Sequence, residues 1–546
     1  MAESTEELDA MFPRLDDAQI ARLTPFGRAR NASAGEVLYE QGDATHGVFV
    51  VLEGSIEIVS ISTSGEGSLR VLERGAFTGE VNQLSGRRSL VTCRAHEASS
   101  VLEIERADLQ RMMQTDAGLG EMFLTAFLRR RLYLISHSVG DAVLVGSSHS
   151  GDTLRLREFL TRNGHPHNYI DVERDPDVQT LLDQFHFTVT DIPVLICSGK
   201  LILRNPSNAE AAECFGLNAG IEESAVYDLI VVGAGPSGLA AAVYGASEGL
   251  NVLVVESGAP GGQAGTSSKI ENYLGFPTGI SGEGLTRRAF IQAEKFGAHI
   301  AVARSASQLQ CGRSPYTIAL ADGGSVHGRS IIIAAGAQYR QLPLPNLDQF
   351  NGVGVYYGAT RLEAQVCSDE EIAIVGGGNS AGQAAVFLSN HARHVNVLVR
   401  GPGLAETMSR YLISRIEGSK EITVRPRTEV EAIEGNGHLE RIRWRDKTTG
   451  VSDTHDIRHM FLMTGAEPNT AWLSGCVAMD AKNFVKTGTD LGPDWPLQRR
   501  PPYMLETSVP GVFAVGDIRS GSVKRVASAV GEGSMAVQFV HKALAE

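Results

Sequence analysis

Cysteine is scarce and scattered: the chain holds six, Cys93, Cys197, Cys214, Cys311, Cys367 and Cys476, and no two of them form a C-x-x-C. That spacing excludes a local dithiol motif, and buried single thiols are the expectation at each position. Positive charge is also short. Lys and Arg number 49 against 63 Asp and Glu, a net charge of -14, so nucleic acid is a poor partner for the chain as a whole. No apolar run is long enough to span a bilayer, and the acidic opening MAESTEELDAMF has no apolar signal stretch. A soluble cytoplasmic protein without a membrane contact or metal site is expected. Low-complexity segments are missing too, while 42% hydrophobic residues and 60 glycines indicate globular domains rich in tight turns. A length of 546 residues exceeds what one core serves, which predicts three or four domains.

What is present is organised around YDLIVVGAGPSGLAAAVYGASEGLNVLVVES, from Tyr227 to Ser257. An apolar strand runs into Gly233, Gly235 and Gly238, an Ala-rich helix opens at Pro236 and Ser237, and a second strand ends on Glu256. Gly233 allows a tight turn, Gly235 lets backbone approach a pyrophosphate, and Gly238 lets the helix pack close to the strand. The helix amides then face the phosphates, and Glu256 accepts from ribose hydroxyls. A second unit, EIAIVGGGNSAGQAAVFLSNHARHVNVLVR, repeats strand, turn, helix and strand. Gly376, Gly378 and Ala381, with Asn379 and Ser380 between them, form the G-x-G-x-x-A variant suited to a nicotinamide dinucleotide. Its second strand ends at Arg400 where an NAD site would place an acid, so NADPH is preferred, with Arg410 or Arg415 assisting.

Nearly all of the chain beyond residue 223 resembles the low-molecular-weight thioredoxin reductases. The run APGGQAGTSSKIENYLGFPTGISGEGL is similar to that family's flavin-contacting segment, which implies FAD contacts at Gly261, Gly262, Gln263 and Asn272. A strand ending at Ala335 and Gly336 leads into the second domain. The closing segment GVFAVGDIRSGSVKRVASAV supplies Gly516 and Asp517, which match the family's second FAD motif. Lys524, Arg525 and Val526 open a helix whose N-terminus would face the flavin. The resemblance implies FAD and NADPH as cofactors and a homodimer.

The front of the chain differs. Residues 35 to 105 alternate apolar and polar residues between glycine turns, and two amphipathic helices follow. FTGEVNQLSGRRSLVTCRA resembles the phosphate-binding cassette of cyclic nucleotide-binding domains, which implies a cyclic nucleotide as effector held by Gly79, Glu80, Arg88 and Ser89. The Glu80 to Arg88 spacing is shorter than that family's, and Asn82 and Gln83 replace small or apolar residues, so a filled and an empty pocket both stand as readings. Residues 141 to 222 read βαβα with a Pro-led strand and resemble the thioredoxin fold, with Pro193 at its cis-proline position. Ser147, Ser148, His149 and Ser150 stand where redox cysteines would be, and serine cannot replace a thiolate. Cys197, within an apolar strand, is expected to be a buried thiol.

The expected architecture is multidomain. Residues 1–140 form a β-barrel or jelly roll like cyclic nucleotide-binding domains, and 141–222 a thioredoxin-like α/β domain. Two Rossmann-like α/β domains follow: an FAD domain in two parts, 223–345 and 466–546, with an NADPH domain, 346–465, between them.

Thioredoxin reductases carry C-A-T-C before the first NADPH-domain strand. Here GVGVYYGATRLEA places Gly358 and Arg361 at the two cysteine positions around Ala359 and Thr360. No catalytic dithiol is therefore expected, and hydride from NADPH to FAD would be followed by direct transfer to an external acceptor. That acceptor is a ferredoxin- or flavodoxin-type protein, a quinone, free flavin or oxygen. Tyr357 or Arg361 would line the acceptor face. Two alternatives stay open: a disulfide reductase using other cysteines, such as Cys367 with Cys476, and a non-catalytic FAD and NADPH sensor.

Overall fold

The computed structural model describes residues 10–546 apart from 44–46, 63–64, 86, 137–141, 174–190, 198–200, 219–221, 223, 268, 313 and 360. At the front, two antiparallel sheets face each other. One runs in the order Arg28–Ala32, Ser99–Ile104, Val48–Glu53, the other Val37–Tyr39, Thr92–Ala95, Ser55–Ser62, Gly65–Glu73. In Val48–Glu53 the two-residue period serves two cores: Phe49 and Val51 point into the barrel, Val48 and Val50 toward the helices behind it. Helices Arg106–Thr115 and Ala117–Ser136 cover that outer face. Phe77 stacks on Phe123 with ring centroids 4.0 Å apart, and Phe127 meets Phe123 edge-on. The long helix starts where it does because Asp116 accepts from Leu119 N at 3.1 Å and pairs with Arg22.

A four-stranded mixed sheet follows, in the order Leu201–Arg204, Val194–Cys197, Ala142–Gly146, His167–Asp171. The last two strands are parallel, joined by helix Gly151–Arg162, which Ser150 caps. The Ile192–Pro193 bond is cis. The second helix of the expected βαβα pattern, DVQTLLDQF at 177–185, lies outside the described residues.

The flavin-type domain has a seven-stranded sheet. Its parallel part is His299–Ala301, Val252–Val255, Val226–Val232 and Ser325–Ile333, with Val512–Ala514 pairing beside the last. The C-terminal part of the chain thus completes the sheet begun before residue 345. Val226–Val232 is apolar nearly throughout because both faces are buried, Leu229 and Val231 on one side, Ile230 and Val232 on the other. Between the two parts lies a five-stranded parallel sheet, Val355–Tyr356, His459–Leu462, Glu371–Val375, His394–Val399, Ile422–Pro426. A two-stranded antiparallel link, Ala337–Tyr339 with Ala466–Pro468, carries the chain out and back. Among the described residues, no helix is long and apolar enough to cross a membrane.

Two sequence expectations are corrected here. Cys197 is bonded to Cys214 and Cys311 to Cys476, with Cα separations of 6.4 and 5.8 Å, so four of the six cysteines are not single thiols. Cys476 is therefore not a partner for Cys367, which is buried and free, as is Cys93. Sequence distance hid both pairs, since the fold closes gaps of 17 and 165 residues.

The front domain is bolted to the flavin-type domain by buried charge. Helix Asn82–Ser85 packs on helix Gly282–Lys295. Arg87 lies 3.8 Å from Glu294 and over the Phe290 ring, and both members of the pair are almost fully buried. Burial pushes Glu294 up to about 7, against the pull of Arg87, Arg106 and Arg131. A carboxyl raised in this way binds more protons in the folded state, so its contribution to stability falls as pH rises from the ordinary 4.5 toward 7. Wild type is expected to lose stability relative to Glu294→Gln as pH rises from about 4.5 to about 7, read from denaturant midpoints; parallel pH curves would contradict this.

Candidate active site

One cavity of about 2840 Å³ lies at the carboxyl ends of both parallel sheets, and both glycine turns open onto it. At the first, Gly233 has φ +105°, and a Cβ there would collide with Ala334 O. A Cβ on Gly238 would collide with Gly233 O, so strand, turn and helix are locked together by backbone contact. Gly233, Gly235, Pro236, Ser237 and Glu256 line the cavity, whereas Gly238 is packed behind the turn. Glu256 accepts from Ala234 N at 2.7 Å and Gly258 N at 2.9 Å, which fixes both loops at the strand ends.

The next segment follows the same logic. Gly262, Gln263 and Asn272 line the cavity, and Gln263 donates to Ala337 O across the interdomain link. Gly261 sits one layer back in the left-handed region, with Thr286 Oγ1 2.7 Å from where its Cβ would be. Ala335 and Gly336 form part of the wall. Asp517, Lys524, Arg525 and Val526 also line it, the last opening helix Val526–Leu544. Burial raises the Asp517 carboxyl above its ordinary value, with Lys524 pulling the other way. Gly516 is buried under the turn, where its amide donates to Glu532 at 2.7 Å. Glu532 also pairs with Arg519 and so braces the Gly516–Asp517 turn; nothing in the sequence marks it, since it lies mid-helix.

The second turn repeats the first. Gly376 has φ +148°, and its Cβ would collide with Met463 O. Gly378, Asn379, Ser380 and Arg400 line the cavity, while Ala381 is fully buried beneath the turn. Asn379 Oδ1 accepts from Ser409 N at 2.7 Å, which draws helix Arg410–Glu417 over the site. Tyr411 and Arg415 from this helix line the wall; Arg410 does not. The cavity thus has room and paired glycine cradles for two dinucleotides, with Glu256 on the wall beside the first turn and Arg400 beside the second.

Tyr357 and Gly358 also reach the cavity, and Tyr357 donates to Asn351 Oδ1 at 3.2 Å. Gly358 stands against Thr266, and Ala359 bridges Ser267, so this segment rests on the run that follows Gly262 and Gln263. Thr360 and the Arg361 side chain lie outside the described residues. Among the described residues, no cysteine lines the cavity. Burial pushes the Cys367 thiol up to about 12, an unreactive setting.

The cassette expected to hold a cyclic nucleotide is engaged internally. Glu80 is buried and lies 3.2 Å from Arg131 Nη1, and Arg131 Nε donates to Gly164 O at 2.9 Å. Ser89 is buried and donates to Val91 O, and Gly79 has φ +107° beside Phe127. Arg88 is exposed and reaches Cys214 O at 3.4 Å in the next domain; its neighbour Arg87 is the buried one. The adjacent Arg-Arg pair concealed which of the two turns inward. A further surprise is that His149, Ser150, Gly151 and Asp152 of the second domain line the large cavity. Arg162 of that domain donates to Ala259 O and Gly262 O, both at 3.2 Å.

Substitutions at the cradles should separate the two sites. Gly238→Ala is expected to cut flavin absorbance per polypeptide by about tenfold or more, since the turn cannot close. Gly376→Ala should leave flavin content unchanged and raise the KM for a nicotinamide cofactor by about tenfold.

Comparison with known proteins agrees with this geometry. Residues 227–533 match the pyridine nucleotide-disulphide oxidoreductase family, and residues 29–116 match the cyclic nucleotide-binding domain. Thioredoxin reductase of Bacillus subtilis is 31% identical over 320 residues, 59% of this chain and 95% of that one. Thioredoxin reductase of Mycolicibacterium smegmatis is 32% identical over 321 residues, 59% of this chain and 97% of the relative. Among solved structures, Lactococcus lactis thioredoxin reductase superposes with a TM-score of 0.53 at 26% identity, covering 58% of this chain and 99% of that one. With more than half its length in the match, this chain belongs to the pyridine nucleotide-disulphide oxidoreductase family, as a thioredoxin reductase-like, FAD-dependent NAD(P)H oxidoreductase with a cyclic nucleotide-binding domain in front.

Proposed function

We propose that this enzyme oxidises NADPH and passes the electrons directly to an external acceptor, with no dithiol relay. The observation that carries the reading is Gly358 and Arg361 in place of the relay cysteines, beside a cavity whose described lining holds no cysteine. FAD, when bound, supplies the hydride-accepting and electron-donating chemistry. The chain's own residues bind, orient and shield. Gly233, Gly235 and Glu256 would hold one adenosine diphosphate end, and Gly376, Gly378 and Arg400 the other. Lys524, Arg525 and the free amides opening helix Val526–Leu544 favour negative charge on the wall they form. No side chain is assigned as general acid or base, because hydride transfer needs none. The acceptor is read as a ferredoxin- or flavodoxin-type protein, a quinone or oxygen, and a homodimer is proposed.

Residues 141–222 are read as a redox-silent thioredoxin-like unit. Support comes from the βαβ start, the antiparallel pair after it and the cis bond before Pro193. Its Ser147–Ser150 loop, which would carry a dithiol in a thioredoxin, turns His149 and Ser150 to the cavity. The cassette is read as the seat of a cyclic nucleotide that must take Glu80 from Arg131 to bind. A disulfide-reductase reading keeps one point in its favour, the Cys311–Cys476 pair on the flavin-type domain.

The test is a cysteine panel. Cys367→Ala, and Cys311→Ser together with Cys476→Ser, are expected to reduce ferricyanide or a quinone with NADPH at rates within about twofold of wild type. A loss of about tenfold or more in either would favour thiol chemistry. Arg400→Ala should raise the KM for NADPH about tenfold more than that for NADH, and equal changes would contradict the cofactor assignment.

A further inference from the structure

Glu271 stands in the flavin-contacting run next to Asn272, yet its carboxylate reaches into the other dinucleotide-binding domain. Tyr411 OH donates to Glu271 Oε2 at 3.1 Å, and Arg415 Nη1 lies 3.5 Å from the same oxygen. Arg415 Nη1 also donates to Tyr411 OH at 3.2 Å, which closes a three-membered cluster, while Lys269 Nζ holds the second oxygen at 2.8 Å. Hydrogen bonds from Lys269 and Tyr411, with Arg415 alongside, keep the carboxyl below the usual range, so it is an anion at neutral pH. Glu271, Tyr411, Arg415 and Arg400 all line the one cavity. The helix bearing Tyr411 and Arg415 is close-packed on the second fingerprint helix, where a Cβ on Gly382 would lie 3.3 Å from Leu412 Cδ1. Arg415 is therefore a cation fixed beside the second fingerprint, occupied by an acid that does not belong to that domain.

The geometry points to Glu271 as a residue that senses which nicotinamide cofactor is bound: it holds Arg415 until the 2′-phosphate of NADPH takes the guanidinium from it. A 2′-phosphate offers more charge and more acceptor oxygens than a half-exposed carboxylate, so it outcompetes Glu271 at Arg415. NADH brings no such group and leaves the contact closed. The Tyr411–Glu271–Arg415 cluster joins the two domains, and NADPH, unlike NADH, releases the flavin-contacting run from the nicotinamide domain as it binds. The inference rests on the NADPH reading above, takes Arg415 and not Arg410 as the assisting cation, and adds Glu271 as its competitor.

The test uses the flavin-loaded protein and two fragments, adenosine 2′,5′-bisphosphate and 5′-AMP, with affinities measured by calorimetry. Glu271→Gln is expected to bind the bisphosphate about two- to fivefold more tightly, the scale of a partly exposed ion pair, with 5′-AMP unchanged. Arg415→Gln should weaken the bisphosphate alone. In wild type the bisphosphate, and not 5′-AMP, should speed amide exchange over residues 269–273. Equal wild-type affinity for both fragments would overturn the NADPH reading itself. A wild-type preference for the bisphosphate that survives in Arg415→Gln, or that Glu271→Gln leaves unchanged, would overturn this inference while that reading stands. Tightening of both fragments alike in Glu271→Gln would mean general electrostatics and would also overturn it.

Discussion

Two backbone carbonyls set the terms of this enzyme. Ala334 O and Met463 O each end the strand beside a glycine turn, and each stands where a side chain at Gly233 or Gly376 would have to be. The close approach turns both following helices toward one shared cavity and leaves their first amides free for anionic ligands. Both carbonyls also lie just before the crossing strands Ala337–Tyr339 and Ala466–Pro468. The same steric constraint that forms each cradle therefore sets where the chain passes from one dinucleotide domain to the other.

Around that constraint the front of the chain acts as a brace. Arg87 with Glu294 ties the cyclic nucleotide-type domain to helix Gly282–Lys295, and Arg131 joins Glu80 to Gly164. Arg162, two residues before Gly164, grips the carbonyls of Ala259 and Gly262 at the edge of the flavin-type cradle. Buried ion pairs of this kind contribute modest net stability, because desolvation offsets most of the attraction, but breaking one partner is costly. Their physical effect is to fix one relative placement of three domains.

How much of this the sequence disclosed depends on whether a demand is local. Gly233, Gly238 and Gly376 were legible because tight turns restrict residue type over a few positions. The Gly516–Asp517 turn was legible by resemblance, yet Glu532, which holds it, was not, since a mid-helix acid carries no local signature. Cys311 and Cys476 were read as single thiols because nothing across a sequence separation of 165 indicates that they meet. Arg88, carried over by resemblance as a phosphate partner, lies exposed while its neighbour Arg87 is buried against Glu294 and Phe290, a division set by packing between domains that the Arg-Arg pair itself does not encode. The placement of His149 and Ser150 on the cavity wall depends on domain docking, which no periodicity encodes.

On the proposed route from NADPH to acceptor, flavin is the only redox centre. An anaerobic titration with NADPH, following flavin bleaching and counting electrons taken up, tests it most directly. Uptake of about two electrons per FAD is expected, with both disulfides left oxidised. Uptake of about four would contradict it, by showing that Cys311–Cys476 or Cys197–Cys214 exchanges electrons with the flavin.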